Sequence, residues 1–75
     1  MQQAIANELK ATRLRKNLKA KYVAADLNIS EVTLGRYEKY ATGLSVEQLE
    51  RMLSYYKVPK SIFFRNVCEY MHENY

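Results

Sequence analysis

Only three residues, Asn28-Ile29-Ser30, separate two short helical patterns, about Ala20 to Leu27 and about Glu31 to Lys39. A connection this short dictates most of what surrounds it. Val23, Ala24 and Leu27 fall at the i, i+1, i+4 spacing of a buried stripe. Asn28 suits the left-handed backbone that ends a helix, and Ile29 is the apolar residue that follows such an end. Ser30 is a good N-cap for the second helix, whose Leu34 and Tyr37 lie three apart on an inner face. Ala24 is small enough for the two helices to cross closely. Ile29 and Leu34 pin the pair to a core that the rest of the chain must supply.

That core is predicted to be helical as well. Residues from about Gln2 to Lys16 are rich in Ala, Gln, Lys and Arg, good helix formers, with Ile5 and Leu9 on one face and Leu14 on the opposite one. After a turn at Ala41-Thr42-Gly43, the run Ser45-Val46-Glu47-Gln48 reads as a capping box. Val46, Leu49, Met52, Leu53 and Tyr56 then recur at intervals of 3, 3, 1 and 3, the strongest amphipathic pattern in the sequence. Pro59, with φ pre-set for a first helical turn, is expected to begin a fifth helix, and Phe63 and Phe64 to complete the core. No segment reads as a strand. With 75 residues, two glycines and one proline, the expectation is one all-α domain over residues 1–75: a compact five-helix bundle with an extended C-terminal helix, about 59–73.

Charge narrows the function classes. The net charge is +4, but Lys10, Arg13, Arg15, Lys16, Lys19 and Lys21 face only Glu8 within the first 21 residues. Such asymmetry suggests one basic face for a polyanion. No apolar run approaches the ~18 residues of a membrane span. Cys68 is the single cysteine and His72 the single histidine, so neither a disulfide framework nor a zinc cluster is expected, and no metal or cofactor. With no carboxylate pair at a recognisable motif and no Gly-rich phosphate loop, an enzyme is not expected. A disulfide-free domain of this size suits the bacterial cytoplasm or nucleoid.

Residues 20–39 together form a helix-turn-helix unit. From Ile5 to Phe64 the chain resembles the lambda-repressor-like, Cro and XRE-type family of DNA-binding regulators. The matching segments are Leu18-Lys-Ala-Lys-Tyr-Val-Ala-Ala-Asp-Leu-Asn-Ile-Ser-Glu-Val-Thr-Leu-Gly-Arg-Tyr-Glu38, Ser45-Val-Glu-Gln-Leu49 and Tyr56-Lys-Val-Pro-Lys-Ser-Ile-Phe-Phe64. The resemblance implies a five-helix bundle whose third helix enters the DNA major groove. It places Glu31, Val32, Thr33 and Arg36 toward bases, and Lys19, Lys21, Lys39 and Tyr40 toward phosphates. It also implies a structural ion pair between Arg13 and Glu38. Four sites, six residues in all, depart from the family pattern. Ala20 stands where Gln is usual, Lys39-Tyr40 where Asn-Gly is usual, Glu31-Val32 where polar or basic residues are usual, and Gly35 lies inside the third helix.

Large apolar and aromatic residues continue to the end of the chain, through Val67, Tyr70 and Met71 to Tyr75. The expectation is that Val67, Tyr70 and Met71 form a homodimer interface. The rival is an extended fifth helix folded back over Leu14. Two functional readings follow. In the first, the protein is a small phage or bacterial regulator that represses a promoter by binding an operator as a homodimer, with no small-molecule ligand. In the second, it is a protein-binding module on a helix-turn-helix scaffold, partnering a phage repressor with weak DNA binding or none.

Overall fold

The computed structural model describes the backbone of residues 1–74 and the side chains of residues 1–72; Tyr75 lies outside the described residues. Five helices follow one another: α1 Gln2–Arg15, α2 Ala20–Leu27, α3 Glu31–Lys39, α4 Val46–Tyr56 and α5 Lys60–Asn74. The bounds of α2, α3 and α4 coincide with the pattern in the sequence, and α5 starts one residue after Pro59. α1 packs on α3 and α5, and α2 packs on α3. The result is the all-α, lambda-repressor-like five-helix arrangement.

Local chemistry explains the boundaries. Ser30 Oγ accepts the Thr33 N–H at 3.0 Å and Ser45 Oγ accepts the Gln48 N–H at 3.0 Å, each satisfying an orphan donor of a first helical turn. In the Ser45 box the Gln48 amide nitrogen Nε2 is buried without a partner. Asn28 is left-handed (φ 59°, ψ 43°), and the Ile29 N–H reaches back to the Ala24 carbonyl at 3.0 Å. Asn17 and Lys57 repeat this ending, with Leu18 bonding the Arg13 carbonyl and Val58 the Leu53 carbonyl. Each is a Schellman-type stop in which an apolar residue follows the left-handed one and tucks toward the core.

The core gathers Leu9 from α1, Val23 and Leu27 from α2, Leu34 from α3, Met52, Leu53 and Tyr56 from α4, and Phe63 and Val67 from α5, all 2% exposed or less. Ala4, Ala6 and Thr12 share the buried side of α1 with Leu9, while Ile5 is only partly covered. Ala24 is 2% exposed at the α2–α3 crossing, where a larger side chain would separate the helices.

Four expectations need correction. Val67 is fully buried inside the single chain, so it offers nothing to a partner. Tyr70 and Met71 pack partly against the same core, and Tyr70 Oη accepts a 2.6 Å hydrogen bond from Asn7 Nδ2 on α1. With Asn66 donating to Glu8, these contacts bind α5 to α1, so the C-terminal helix is held by its own chain. It does not cover Leu14, which stays 55% exposed. Phe64 points away from the interior at 36% exposure, edge-on to the buried Phe63. Val46, first in the apolar stripe of α4, is 73% exposed.

Candidate nucleic-acid interface

One guanidinium fixes how α2 and α3 are presented. Arg13, near the end of α1, donates from Nε to Glu38 Oε2 at 2.8 Å and from Nη2 to Glu38 Oε1 at 3.1 Å. Its third nitrogen, Nη1, donates to the Leu18 carbonyl at 2.9 Å, just before α2. Three segments meet on a single planar fork, the geometry that arginine supplies and lysine does not. Donating to the Glu38 carboxylate holds the Arg13 pKa above its ordinary value, against the opposing effect of burial. Tyr56 contributes a buried ring beside this pair, and desolvation pushes its phenol well above the ordinary tyrosine range.

Outside this anchor, α3 divides into two faces. Leu34, Tyr37 and Glu38 are buried, while Glu31, Val32, Gly35, Arg36 and Lys39 are exposed. Val32 is 75% exposed and touches no part of the core. Thr33 is half-buried, and its Oγ1 accepts from Ser30 Oγ at 2.9 Å and from Arg36 Nη2 at 3.3 Å. These bonds run a polar line along the helix that steers the Arg36 side chain toward the start of α3. Of the four residues expected to face bases, Glu31, Val32 and Arg36 are open to solvent, whereas the Thr33 hydroxyl is engaged within the helix.

The expected phosphate-contacting residues flank this helix. Lys19 precedes α2 in extended backbone (φ −83°, ψ 141°), and no side chain caps that helix start. Lys21 and Lys39 are exposed, and Tyr40, at the end of α3, is 51% exposed. Each ammonium lies over the ring of the next residue: Lys21 is 4.9 Å from the Tyr22 centroid and Lys39 is 5.2 Å from the Tyr40 centroid. One residue on this surface escaped the sequence reading: Tyr22, which is 58% exposed. Lys10, expected on the basic face, shares with Ala20, Gly35 and Lys39 a shallow depression of about 490 Å³. The signal for Tyr22 was present: if Val23, Ala24 and Leu27 face inward, positions 21, 22, 25 and 26 must face out.

The electrostatics of this surface are uneven. Among the described residues the ion pairs are Arg13–Glu38, Arg15–Glu8 and Lys60–Glu50. None of Lys10, Lys19, Lys21, Arg36 and Lys39 takes part in them. On the outer side of α2 and α3, four cations (Lys19, Lys21, Arg36 and Lys39) therefore stand against the Glu31 carboxylate and Asp26. Asp26, at the far end of α2, accepts the Tyr55 hydroxyl at 2.6 Å, a bond that holds the Tyr55 pKa above its ordinary value. No group of three or more potential metal ligands occurs among the described residues, and no described helix is long and apolar enough to cross a membrane.

Comparison with known proteins fits this geometry. The wild-type restriction-modification controller protein C.Esp1396I superimposes with a TM-score of 0.89 at 18% identity, covering 99% of this chain and 96% of that one. One point variant of the same controller protein gives a TM-score of 0.88 over 97% of this chain and 95% of that one, at 18% identity. Another gives 0.83 over 91% of each, at 19% identity. At such identities the likeness is one of fold. No curated protein sequence matches. A family model described as helix-turn-helix matches residues 9–63, which span α2, α3, α4 and the Arg13–Glu38 anchor. With that match over most of its length, the chain belongs to the XRE/Cro-type helix-turn-helix family, non-enzymatic DNA-binding regulators of transcription.

Proposed function

We propose that the protein reads a specific operator sequence as a homodimer and represses the promoter it occupies, with α3 of each copy in the major groove. The observation that carries this reading is the set of exposed, unpaired cations, Lys19, Lys21, Arg36 and Lys39, around a helix whose own buried acid is neutralised by Arg13. Lys19, Lys21, Lys39 and the Tyr40 hydroxyl hold phosphates and set the docking register, while Arg36 forks onto guanine O6 and N7. Val32 meets a thymine methyl, and Glu31 accepts from a cytosine amino group. Thr33 acts through Arg36, holding the guanidinium in its approach. The open start of α2, with no side-chain cap, adds backbone N–H groups for one more phosphate.

A second reading is favoured by one observation. Val32 at 75% exposure, next to Glu31, is an apolar and acidic tip rather than a cationic one. On that reading the start of α3 docks on a partner protein, a repressor in a phage switch, and duplex binding is weak or absent.

Footprinting on the DNA upstream of the protein's own gene, with Arg36→Ala in parallel, tests the choice. The operator reading expects a bounded protected site, and a loss of about 1–3 kcal/mol of discrimination at one base pair in each half-site for the variant. Three lysines per copy give an expected slope of log K against log salt of about −5 for a dimer. Equal protection of all sequences, or no duplex affinity at low salt, refutes operator recognition and favours the partner module.

A further inference from the structure

The last carbonyl of α3 is held from outside the helix. Gln3 Nε2 on α1 donates to the Lys39 carbonyl at 2.9 Å, and with its second hydrogen to Asn7 Oδ1 at 3.0 Å. Asn7 Nδ2 in turn donates to Tyr70 Oη on α5 at 2.6 Å. A carbonyl can only accept, so the Lys39 end fixes the polarity of the series. Gln3 must present its nitrogen, and Asn7 its oxygen to Gln3 and its nitrogen to Tyr70. Gln3, Asn7 and Tyr70 all lie outside residues 9–63, the span that the family model matches. We infer that this series of hydrogen bonds is a positioning relay, in which α5 and α1 fix the end of α3 and so aim Lys39 and Tyr40 at the DNA backbone. The inference rests on the phosphate contacts proposed for these two residues and names the groups that hold them in place.

The need for such a hold is local. The last turn of a helix leaves carbonyls without partners inside it. The Arg36 and Tyr37 carbonyls accept from the Tyr40 and Ala41 N–H groups, whereas the Lys39 carbonyl accepts from Gln3. The peptide joining Lys39 to Tyr40 is planar, so its two bonds grip one rigid unit: its N–H donates to the Arg36 carbonyl at 2.9 Å and its C=O accepts from Gln3. Lys39 and Tyr40 spring from the two ends of that unit. The Lys39 ammonium lies 5.2 Å from the centre of the Tyr40 ring, so the pair moves together. The chain then leaves through Ala41 in the left-handed region (φ 57°), which alanine adopts at a cost. Without Gln3 the peptide is free to rotate, and the pair loses its aim. Gln3 is exposed and Asn7 only partly buried, so the relay adds little to stability and its effect falls on docking.

Gln3→Met keeps side-chain length and helix propensity but removes the donor. Anisotropy titration of a mixed-sequence duplex long enough for two half-sites, over a salt series, reads the effect on docking. Gln3→Met should weaken binding about threefold to tenfold with an unchanged thermal melt. Tyr70→Phe should weaken it by a smaller factor, about twofold, because Gln3 keeps its bond to the carbonyl. A Lys39→Ala/Tyr40→Ala protein should show a salt slope shallower by about 0.9 per bound copy. In that background Gln3→Met should weaken binding no further, since its effect passes through the two missing side chains. Gln2→Met, at the neighbouring exposed position, should bind like wild type. Amide exchange of Tyr40 and Ala41 in the free protein, followed by NMR, reads the hold without DNA and should quicken about fivefold or more in Gln3→Met. Unchanged exchange, or an equal loss of affinity in both backgrounds, overturns the relay. If Lys39→Ala/Tyr40→Ala binds duplex like wild type, or wild type binds none, the proposed phosphate contacts fail. The aiming role then falls with them, while amide exchange still decides whether Gln3 holds the end of α3.

Discussion

Replacing Glu38 with alanine leaves the Arg13 guanidinium with one of its three hydrogen bonds, that to the Leu18 carbonyl, in a site where the side chains are 12% and 7% exposed. Removing one partner of a buried ion pair costs about 3–5 kcal/mol, chiefly because the remaining charge is stranded. The retained carbonyl and the small opening to solvent argue for the lower end, about 3 kcal/mol. A domain of this size is stable by roughly 4–11 kcal/mol in total, so the variant should fold but lie close to its limit. Each kcal/mol shifts the melting temperature of such a domain by about 4–8 °C, which predicts a fall of about 12–24 °C. The double variant Arg13→Met/Glu38→Leu removes both charges and should recover to within about 1 kcal/mol of wild type. Urea unfolding of wild type, Arg13→Met, Glu38→Leu and the double variant completes a cycle whose coupling energy isolates the pair. The loss should change little between about 0.1 and 1 M salt, because screening acts weakly on buried pairs. A Glu38→Ala cost below about 1 kcal/mol, the range of exposed pairs, refutes the anchoring role. So does a double variant whose loss equals the sum of the single ones.

Other outcomes follow from single sites. A Cβ built on Gly35 meets nothing within 4 Å, so Gly35→Ala should stabilise α3 by about 1 kcal/mol and raise the melting temperature by about 4–8 °C; a decrease refutes the open-space reading. Lys57 ends α4 in the left-handed region (φ 59°), where a side chain costs roughly 1 kcal/mol, so Lys57→Gly should raise the urea midpoint with an unchanged slope. Tyr55 and Tyr56 both have pKa values raised above the ordinary 10.0 in the fold. The unfolded chain therefore loses these protons first, and stability should be full below about pH 10 and decline above it. Tyr55→Phe should lessen that decline, and equal alkaline slopes for variant and wild type would show that the Asp26 bond contributes nothing.

Much of this molecule is legible in its sequence because local and global signals agree. Asn28, Ser30 and Ser45 act by short-range chemistry that the neighbouring residues reveal, and the α2 and α3 stripes mark their inner faces directly. The misreadings share one cause. Periodicity gives the direction of a side chain relative to its own helix, whereas burial depends on whether another element lies opposite. Val46 and Val67 are both apolar residues at helical spacing, yet one faces solvent and the other fills the centre, because α5 closes over α1 and leaves the start of α4 open. The Thr33 hydroxyl is a subtler case. Its engagement by Ser30 and Arg36 depends on rotamers that residue type does not fix.

The two faces of α3 answer to different constraints. Leu34, Tyr37 and Glu38 are locked by what surrounds them, while residues 31, 32 and 36 project from the bundle without supporting it. On the proposed operator reading, drift at these exposed positions alters target preference between descendants while the architecture stays put. Laboratory retargeting of this scaffold would thus begin with a library at 31, 32 and 36, with Arg13 and its carboxylate left alone.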